Sequence, residues 1–368
     1  LTVGTGSPRF RSETDLALGV EEELLLVEPL TRRLSHTGIE VLERMAVDRA
    51  EGAAHPDTYS ALVELASPIV RDAGEAVAAL STLRARLRAA GGVAIGAGIH
   101  PDGAFGDVEH VDAPRYDRIV AQLRGLISRT PTCALHVHVG MPEAQTAIRA
   151  LNGLREHLPV LQALAANSPF WHGRDSGLDS ARAQLFRGYP RAEIPRAFTS
   201  YEDYAETVAS VVAAGDLPDY TFLWWDVRPH PRLGTVEVRA MDSQSSLWSA
   251  AGLAALVHGL ARAAVEEGPG APSTREALME ASFSAARDGL GARLPLDGSL
   301  RPAREVAVAA LDRARPHARE LGSEDALAGI ERILAEGNGA DRQRAAFARG
   351  GMPALLDLLV AEAERPYT

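Results

Sequence analysis

The chain has 368 residues, 46% of them hydrophobic and 24% charged, with 38 basic against 49 acidic side chains and a formal charge of -11. That length buries an apolar core without disulfide or metal staples, and the single Cys133 allows neither an internal disulfide nor a cysteine zinc cage. The negative charge, with no basic tract, counts against a long phosphate backbone as partner, so no nucleic acid is expected. Every basic residue is arginine, which removes the P-loop lysine, the Schiff-base lysine and the Ser-Lys dyad from consideration. Anionic ligands must then be held by Arg, backbone amides or metal ions.

Residues 1–15 are polar, lack the apolar core of a signal peptide and read as a loose tail, which predicts a cytoplasmic protein. From Leu16 to Val27 the chain alternates with period two, placing Glu21 and Glu23 on one face and Val20, Glu22, Leu24 and Leu26 on the other. Ala61 to Ser67 repeats the pattern, Glu64 opposing Val63 and Leu65. Asp72 caps a helix carrying Val77, Leu80, Leu83 and Leu87, ended at Gly91 and Gly92. Val93 to Ile99 is Gly-rich and ambiguous. In Ala134 to Gly140, His136 and His138 oppose Leu135, Val137 and Val139; a helix through Ile148, Leu151, Leu154 and Leu158 then runs on past a kinking Pro159. The Trp224 to Arg228 cluster reads as core or as the wall of a pocket. From Thr235 to Met241, Glu237 and Arg239 oppose Val236, Val238 and Ala240. Ala250 to Glu266 is a buried helix too short and too interrupted to span a bilayer, so no membrane is expected. Glu267 to Ser273 is the one plausible linker, and helices follow with breaks at Pro295, Pro302, Gly322 and Gly337 to Gly339. The class predicted is α+β, an antiparallel sheet with helices on one face, residues 16–368 forming a single domain whose part from about 270 to 368 is helical.

An antiparallel sheet covered on one side shows polar residues on the other, so any one of these acidic strands has a plain structural reading. Jointly, Glu21, Glu23, Glu64, His136, His138 and Glu237 bring carboxylates and imidazoles from separate strands, the donor set of a hard divalent cation. So many acids on one concave face repel one another unless cations balance them. Alternate histidines also suit zinc or no metal. With acids around them and no usable Cys, Mg2+ or Mn2+ bridging nucleotide phosphates is the reading, zinc the alternative. Arg239 adds a guanidinium suited to phosphate oxygens.

Seven segments, in order, carry a resemblance: Gly19-Val-Glu-Glu-Glu-Leu24, His55-Pro-Asp-Thr-Tyr-Ser-Ala-Leu-Val-Glu-Leu65, Thr132-Cys-Ala-Leu-His-Val-His-Val-Gly140, Asn167-Ser-Pro-Phe-Trp171, Trp225-Asp-Val-Arg228, Thr235-Val-Glu-Val-Arg239 and Asp341-Arg-Gln-Arg344. On them the chain resembles the YbdK-like carboxylate-amine ligases of the glutamate-cysteine ligase type 2 family, over almost its whole length. The resemblance implies a glutamine-synthetase-like fold, a curved antiparallel sheet forming a metal-lined funnel with helices packed on its other face.

It also implies that Glu21, Glu23, Glu64, His136 and Glu237 hold metal, that Glu237 and Arg239 are catalytic, and that ATP with Mg2+ or Mn2+ is the cofactor pair. The chemistry implied is amide formation between a small carboxylate, such as glutamate, and an amine through an acyl phosphate, with weak glutamate-cysteine ligase activity and a homo-oligomer such as a dimer. His138, Asn167, Ser168, Arg182 and Arg228 are candidate substrate contacts. Two other readings stay open: a metal-dependent hydrolase of amide or guanidino bonds, and a catalytically idle binder of the same fold.

Overall fold

The computed structural model describes residues 10–12 and 15–367. Strand β1 (Leu18–Leu26) is followed by α1 (Gly38–Arg44), β2 (Ala53–Pro56), β3 (Leu62–Ala66), α2 (Ala73–Ala89), the two-residue β4 (Ala94–Ile95), α3 (Pro114–Leu123), β5 (Ala134–Gly140) and α4 (Ala144–Ala165). A small ribbon of β6 (Phe170–Trp171) and β7 (Arg174–Asp175), then α5 (Ala181–Phe186) and α6 (Tyr201–Ala214), lead to β8 (Val227–His230), β9 (Thr235–Asp242) and α7 (Leu247–Glu267). The chain ends with α8 (Arg275–Asp288), β10 (Arg293–Leu296), β11 (Ser299–Pro302), α9 (Ala303–Glu320), α10 (Ala328–Glu336) and α11 (Gly339–Ala363).

The main sheet is antiparallel, in the order β2-β3-β1-β5-β9-β8, with β4 pairing the end of β1. Val20, Leu24, Val63, Leu65, Leu135, Val137, Val139, Val236 and Val238 are all buried on one side. Each such side chain contributes roughly 1.5–3 kcal/mol of transfer free energy, which fixes the register because a one-residue slip would turn the whole row over. Helices α4 and α7, apolar nearly all round, belong to the same core. A satellite of Ile99, Ala181 and Leu185 stands apart from it.

Helix α2 starts where the sequence places it, the Asp72 carboxylate accepting from Glu75 N at 2.9 Å. Helix α4 runs unbroken past Pro159. By length and composition α7 could cross a membrane, at a mean hydropathy of 1.2, yet 83% of that window is buried inside the protein.

Three expectations change. Pro295 and Pro302 do not break helices; they lie in the β10-β11 hairpin, whose Asp297 and Gly298 both take positive φ, 48° and 73°. Such an Asp-Gly pair is the usual signal for a two-residue hairpin turn. Glu267 to Ser273 is not a free linker, because Arg155 Nη1 donates to Ser273 O at 3.1 Å and Glu156 accepts from Ser273 N at 3.2 Å. The described part of the expected tail is docked: Arg11 N donates to Pro231 O at 3.0 Å and Phe10 meets Tyr201 edge-on at 5.8 Å. Residues 1–9, 13 and 14 of that tail lie outside the described residues.

Candidate active site

On the sheet face opposite α4 and α7, pairing sets the polar side chains in one row. Glu64 on β3 pairs with Glu23 on β1, Glu21 with His136 on β5, and His138 with Glu237 on β9, which in turn pairs with Arg228 on β8. Between Leu135 and Val137 the β5-β9 register shifts, with one extra residue on β9. The cleft over this row has a volume of about 280 Å³. Its lining includes Glu21, Glu23, Glu64, His136, His138, Arg182, Arg228, Glu237 and Arg239, together with Asp57, Arg115 and His230.

Two groups of donors converge. Glu21, Glu64 and His136 each place a ligand atom within 4.8 Å of the others, and so do Glu21, His138 and Glu237. Glu21 thus sits between both groups, its Oε2 3.5 Å from His136 Nδ1 and 3.4 Å from His138 Nε2. Both nitrogens of His136, and Nε2 of His138, are buried without a hydrogen-bond partner among the described residues. Nδ1 of His138 is held by Thr235 Oγ1 at 3.0 Å, which leaves Nε2 pointed at the acids. The sequence reading named His138 both in the donor set and as a candidate substrate contact; the fold groups it with Glu21 and Glu237.

The electrostatics divide the row. Burial disfavours ionised Glu237, but Arg228 and Arg239 overcome that and hold its carboxyl well below the usual range. Arg228 Nε donates to Glu237 Oε2 at 2.7 Å, and Arg239 Nη1 donates to Oε1. Burial likewise opposes Glu21, and His138 with His136 wins, lowering its pKa. For Glu64 the balance goes the other way: burial, then Glu21 and Asp57, push its carboxyl well up against a smaller opposing pull from Arg239. Glu23 rises to about 8, again through burial and then Asp57. Burial and then Arg239 drop His136 to about 4, so its imidazole is neutral and available as a donor.

Glu23 is partly committed, its Oε2 accepting from Ala134 N at 2.6 Å while Oε1 lies 3.7 Å from His136 Nε2. Arg182 reaches the cleft, donating weakly to Ala240 O and Arg239 O at 3.5 and 3.3 Å. Asn167 and Ser168 do not reach it. Asn167 is fully buried, its amide donating to Gly96 O at 2.9 Å and Ser243 O at 2.8 Å. Ser168 Oγ donates to the buried Asp242 at 2.6 Å. Both tie loops together behind the site, a correction to their expected role as substrate contacts.

Asp57, Arg115, Trp224 and His230 line the cleft from loops, a helix start and a strand end. Periodicity does not single them out, though Asp57 falls within the quoted His55 to Leu65 motif. Helix α3 bridges the cleft mouth, Arg115 Nη1 donating to Thr221 Oγ1 at 2.9 Å and Tyr116 OH to Pro56 O at 2.7 Å.

The fold is α+β, an antiparallel sheet with carboxylates, imidazoles and guanidinium groups gathered on its open face. The chain belongs to the glutamate-cysteine ligase family 2 (GCS2), whose model matches residues 17–357. A Rubrobacter xylanophilus protein with the provisional name glutamate-cysteine ligase 2-1 is 39% identical over 343 residues, covering 91% of each chain. The glutamate-cysteine ligase of Natronomonas pharaonis is 33% identical over 354 residues, covering 94% of this chain and 95% of its own. Among solved structures, glutamate-cysteine ligase from Francisella tularensis in complex with AMP has the same fold, with a TM-score of 0.73 over 97% of this chain and 90% of that one at 14% identity.

Proposed function

We propose that this protein is an ATP-dependent carboxylate-amine ligase of the glutamate-cysteine type, working through an acyl phosphate. The observation that carries the reading is the row Glu64, Glu23, Glu21, His136, His138, Glu237 on three adjacent strands and the β3 beside them, in a chain matching the family from residue 17 to 357. The curved sheet then serves as a funnel whose wall holds metal.

The residues fit Mg2+ or Mn2+: hard carboxylate oxygens, neutral imidazole and unpartnered buried nitrogens face one cavity. Glu21, Glu64 and His136 would hold one ion, and Glu21, His138 and Glu237 another. Such ions, when bound, neutralise nucleotide phosphate oxygens and polarise the transferring phosphoryl group. Arg228 and Arg239, anchored on Glu237, bring fixed positive charge to the same end of the row. Arg239 Nε is buried and unpartnered among the described residues, so this guanidinium keeps donor capacity for phosphoryl oxygens.

In the first half-reaction a substrate carboxylate oxygen bonds to the γ-phosphorus and ADP leaves. In the second the amine nitrogen bonds to the acyl carbon and phosphate leaves. The attacking ammonium must lose a proton, and Asp57 stands in the cleft outside both donor groups, with only Oδ1 engaged among the described residues, by Thr58. That carboxylate is suited to take it.

The test is an ADP-release screen of amino acid carboxylates against amines with Mg2+. The expected result is release that requires both partners. Amide hydrolysis without ATP, or nucleotide binding with no release for any pair, would overturn the ligase reading in favour of a hydrolase or an idle binder.

A further inference from the structure

Two sequence segments, Asn167 to Trp171 and Asp341 to Arg344, have no part in the donor row, and the fold brings both to Asp242, the last residue of β9. Asp242 is 2% exposed and accepts from Asn167 N at 2.9 Å, Ser168 Oγ at 2.6 Å and Ser180 Oγ at 2.8 Å. Its carboxylate thus closes the loop from 167 to 180 onto the strand that carries Glu237 and Arg239. From the far side, on α11, Gln343 Nε2 donates to Asn167 O and Oδ1, both at 2.8 Å, and Arg344 donates to Leu178 O at 2.9 Å and to Asp179. The loop is pinned on two sides. What it delivers is Arg182, two residues beyond Ser180, whose backbone N donates to Ser168 Oγ at 3.2 Å.

Arg182 lines the cleft although it is almost wholly buried. Its Nη2 donates to Arg239 O at 3.3 Å and its Nη1 to Ala240 O at 3.5 Å, and Nη1 lies 3.8 Å from Asp242 Oδ1. Bonds this long are weak and do not hold a flexible side chain by themselves. A buried carboxylate does, because little water screens its attraction. Burial pushes the Asp242 carboxyl up, and Arg182 leads the groups that oppose the rise. Nε of Arg182 and Nε of Arg239 are both buried without a partner among the described residues. Unpaired guanidinium N–H groups are costly to bury, so two of them on adjacent arginines bordering one cavity suit an anion that satisfies both.

Resting on the ligase reading, we propose that Asp242 is a positioning residue that holds Arg182 beside Arg239, so that the two guanidinium groups present neighbouring donors to one substrate oxyanion. Asp242 does for Arg182 what Glu237 does for Arg239. The oxyanion is a carboxylate or a phosphoryl group, since both supply the oxygens that such forks take.

The experiment is calorimetric titration of the full chain with a non-hydrolysable ATP analogue and Mg2+, and then with L-glutamate in the presence of both. Arg182→Met should weaken one of these two ligands by at least about tenfold more than the other, the worth of one charge-assisted hydrogen bond. Loss of L-glutamate assigns the oxyanion to a carboxylate, and loss of the analogue assigns it to a nucleotide phosphate. Asp242→Asn, which keeps the shape and removes the charge, should weaken the same ligand by a similar factor. Combined with Arg182→Met it should add nothing, because Asp242 acts through Arg182. A merely structural Asp242 would instead weaken both ligands alike, or add its loss to that of Arg182→Met. Arg182→Lys leaves Asp242 in place and keeps the positive charge but not the fork, so it decides the matter even if Asp242→Asn does not fold; at least about fivefold weaker binding of that ligand is expected. The proposal is overturned by a Lys variant as tight as wild type, by additive losses, by equal weakening of both ligands, or by no binding of either in the wild type. These readouts are independent of turnover. Selective loss of one ligand with no ADP release for any pair would sink the ligase reading and keep the paired arginines, and ADP release with both affinities unchanged in Arg182→Met would do the reverse.

Discussion

Replacing Arg84 by Met should destabilise the fold by removing the one charge that balances Glu22. Glu22 lies between Glu21 and Glu23 but points to the core face, where its carboxylate is fully buried. Arg84, on α2, meets it with two bonds, Nε to Oε1 at 2.8 Å and Nη2 to Oε2 at 2.6 Å. The same guanidinium donates to Gln244 O at 2.9 Å and Ser245 O at 2.7 Å, just past the strand that carries Glu237 and Arg239. Removing one partner of a buried pair costs about 3–5 kcal/mol, mostly the penalty of the stranded charge, against a total stability on the order of 5–15 kcal/mol. With unfolding entropy of roughly 2.1 cal/mol/K per residue over 368 residues, a 4 kcal/mol loss lowers Tm by about 5 °C. The double variant Glu22→Leu with Arg84→Met removes both charges and fills similar volume, so it should return to within about 2 °C of wild type. Because Glu22 faces away from the cleft, turnover in the double variant should stay within about threefold. Differential scanning calorimetry of the three proteins decides. A drop below 1 °C in Arg84→Met, or a double variant as unstable as the single, would refute the reasoning.

Arg239→Lys and Arg239→Ala should both bind Mg-ATP by calorimetry yet lose on the order of a hundredfold or more in ADP release, since a point charge does not replace a preorganised fork; near wild-type turnover in the Lys variant would reduce Arg239 to the charge partner of Glu237. His258, fully buried with Nε2 2.7 Å from Leu16 O and Nδ1 2.9 Å from Ser323 Oγ, is pushed down to about 4 by burial. Its folded state therefore binds the proton later than the unfolded chain, whose His titrates near 6.5, so stability is full above pH 6.5 and falls as pH drops toward 4, by roughly 2 kcal/mol at pH 5. His258→Gln should flatten the Tm profile between pH 7.5 and 5 by that amount, and a variant as acid-sensitive as wild type would refute the assignment. Ser168→Ala, which strips a hydrogen bond from the buried Asp242, should cost about 1–3 kcal/mol of stability and leave substrate KM unchanged; a raised KM at constant Tm would return Ser168 to the substrate.

The polar row was legible because the strand period is two and a polar face shows itself residue by residue: Glu21 and Glu23, His136 and His138, Glu237 and Arg239 each share a face by spacing alone. The grouping was not legible. Whether His136 or His138 joins Glu237 depends on which strands pair and where the register shifts, and the extra residue opposite Leu135 and Val137 leaves no mark in either sequence. Loop contributors were hidden for a related reason. Asp57 and His230 enter the cleft through turns and strand ends, and Asn167 looks like a ligand contact until its distant carbonyl partners on Gly96 and Ser243 are in place. The β10-β11 hairpin is a different case, since Asp297-Gly298 between Leu294 and Leu300 carried the turn signal and the two prolines masked it.

Charge accounting links the row to the reaction. At the Glu237 end two arginines meet one carboxylate, so this end carries surplus positive charge even when every acid is ionised. At the Glu64 end, Glu21, Glu23, Glu64 and Asp57 act on one another, and burial with mutual repulsion holds Glu23 and Glu64 toward their neutral forms. A cation placed among Glu21, Glu64 and His136 relieves that repulsion, whereas one beside Glu237 must share its acid with Arg228 and Arg239. The chain has no lysine, so the permanent positive charge of the cleft rests on guanidinium groups whose planar forks are fixed by Glu237, by carbonyls and by Phe186. Guanidinium donors fixed on Glu237 next to an acid cluster held toward its neutral forms are the arrangement the proposed binding of a phosphate-bearing substrate with cations requires.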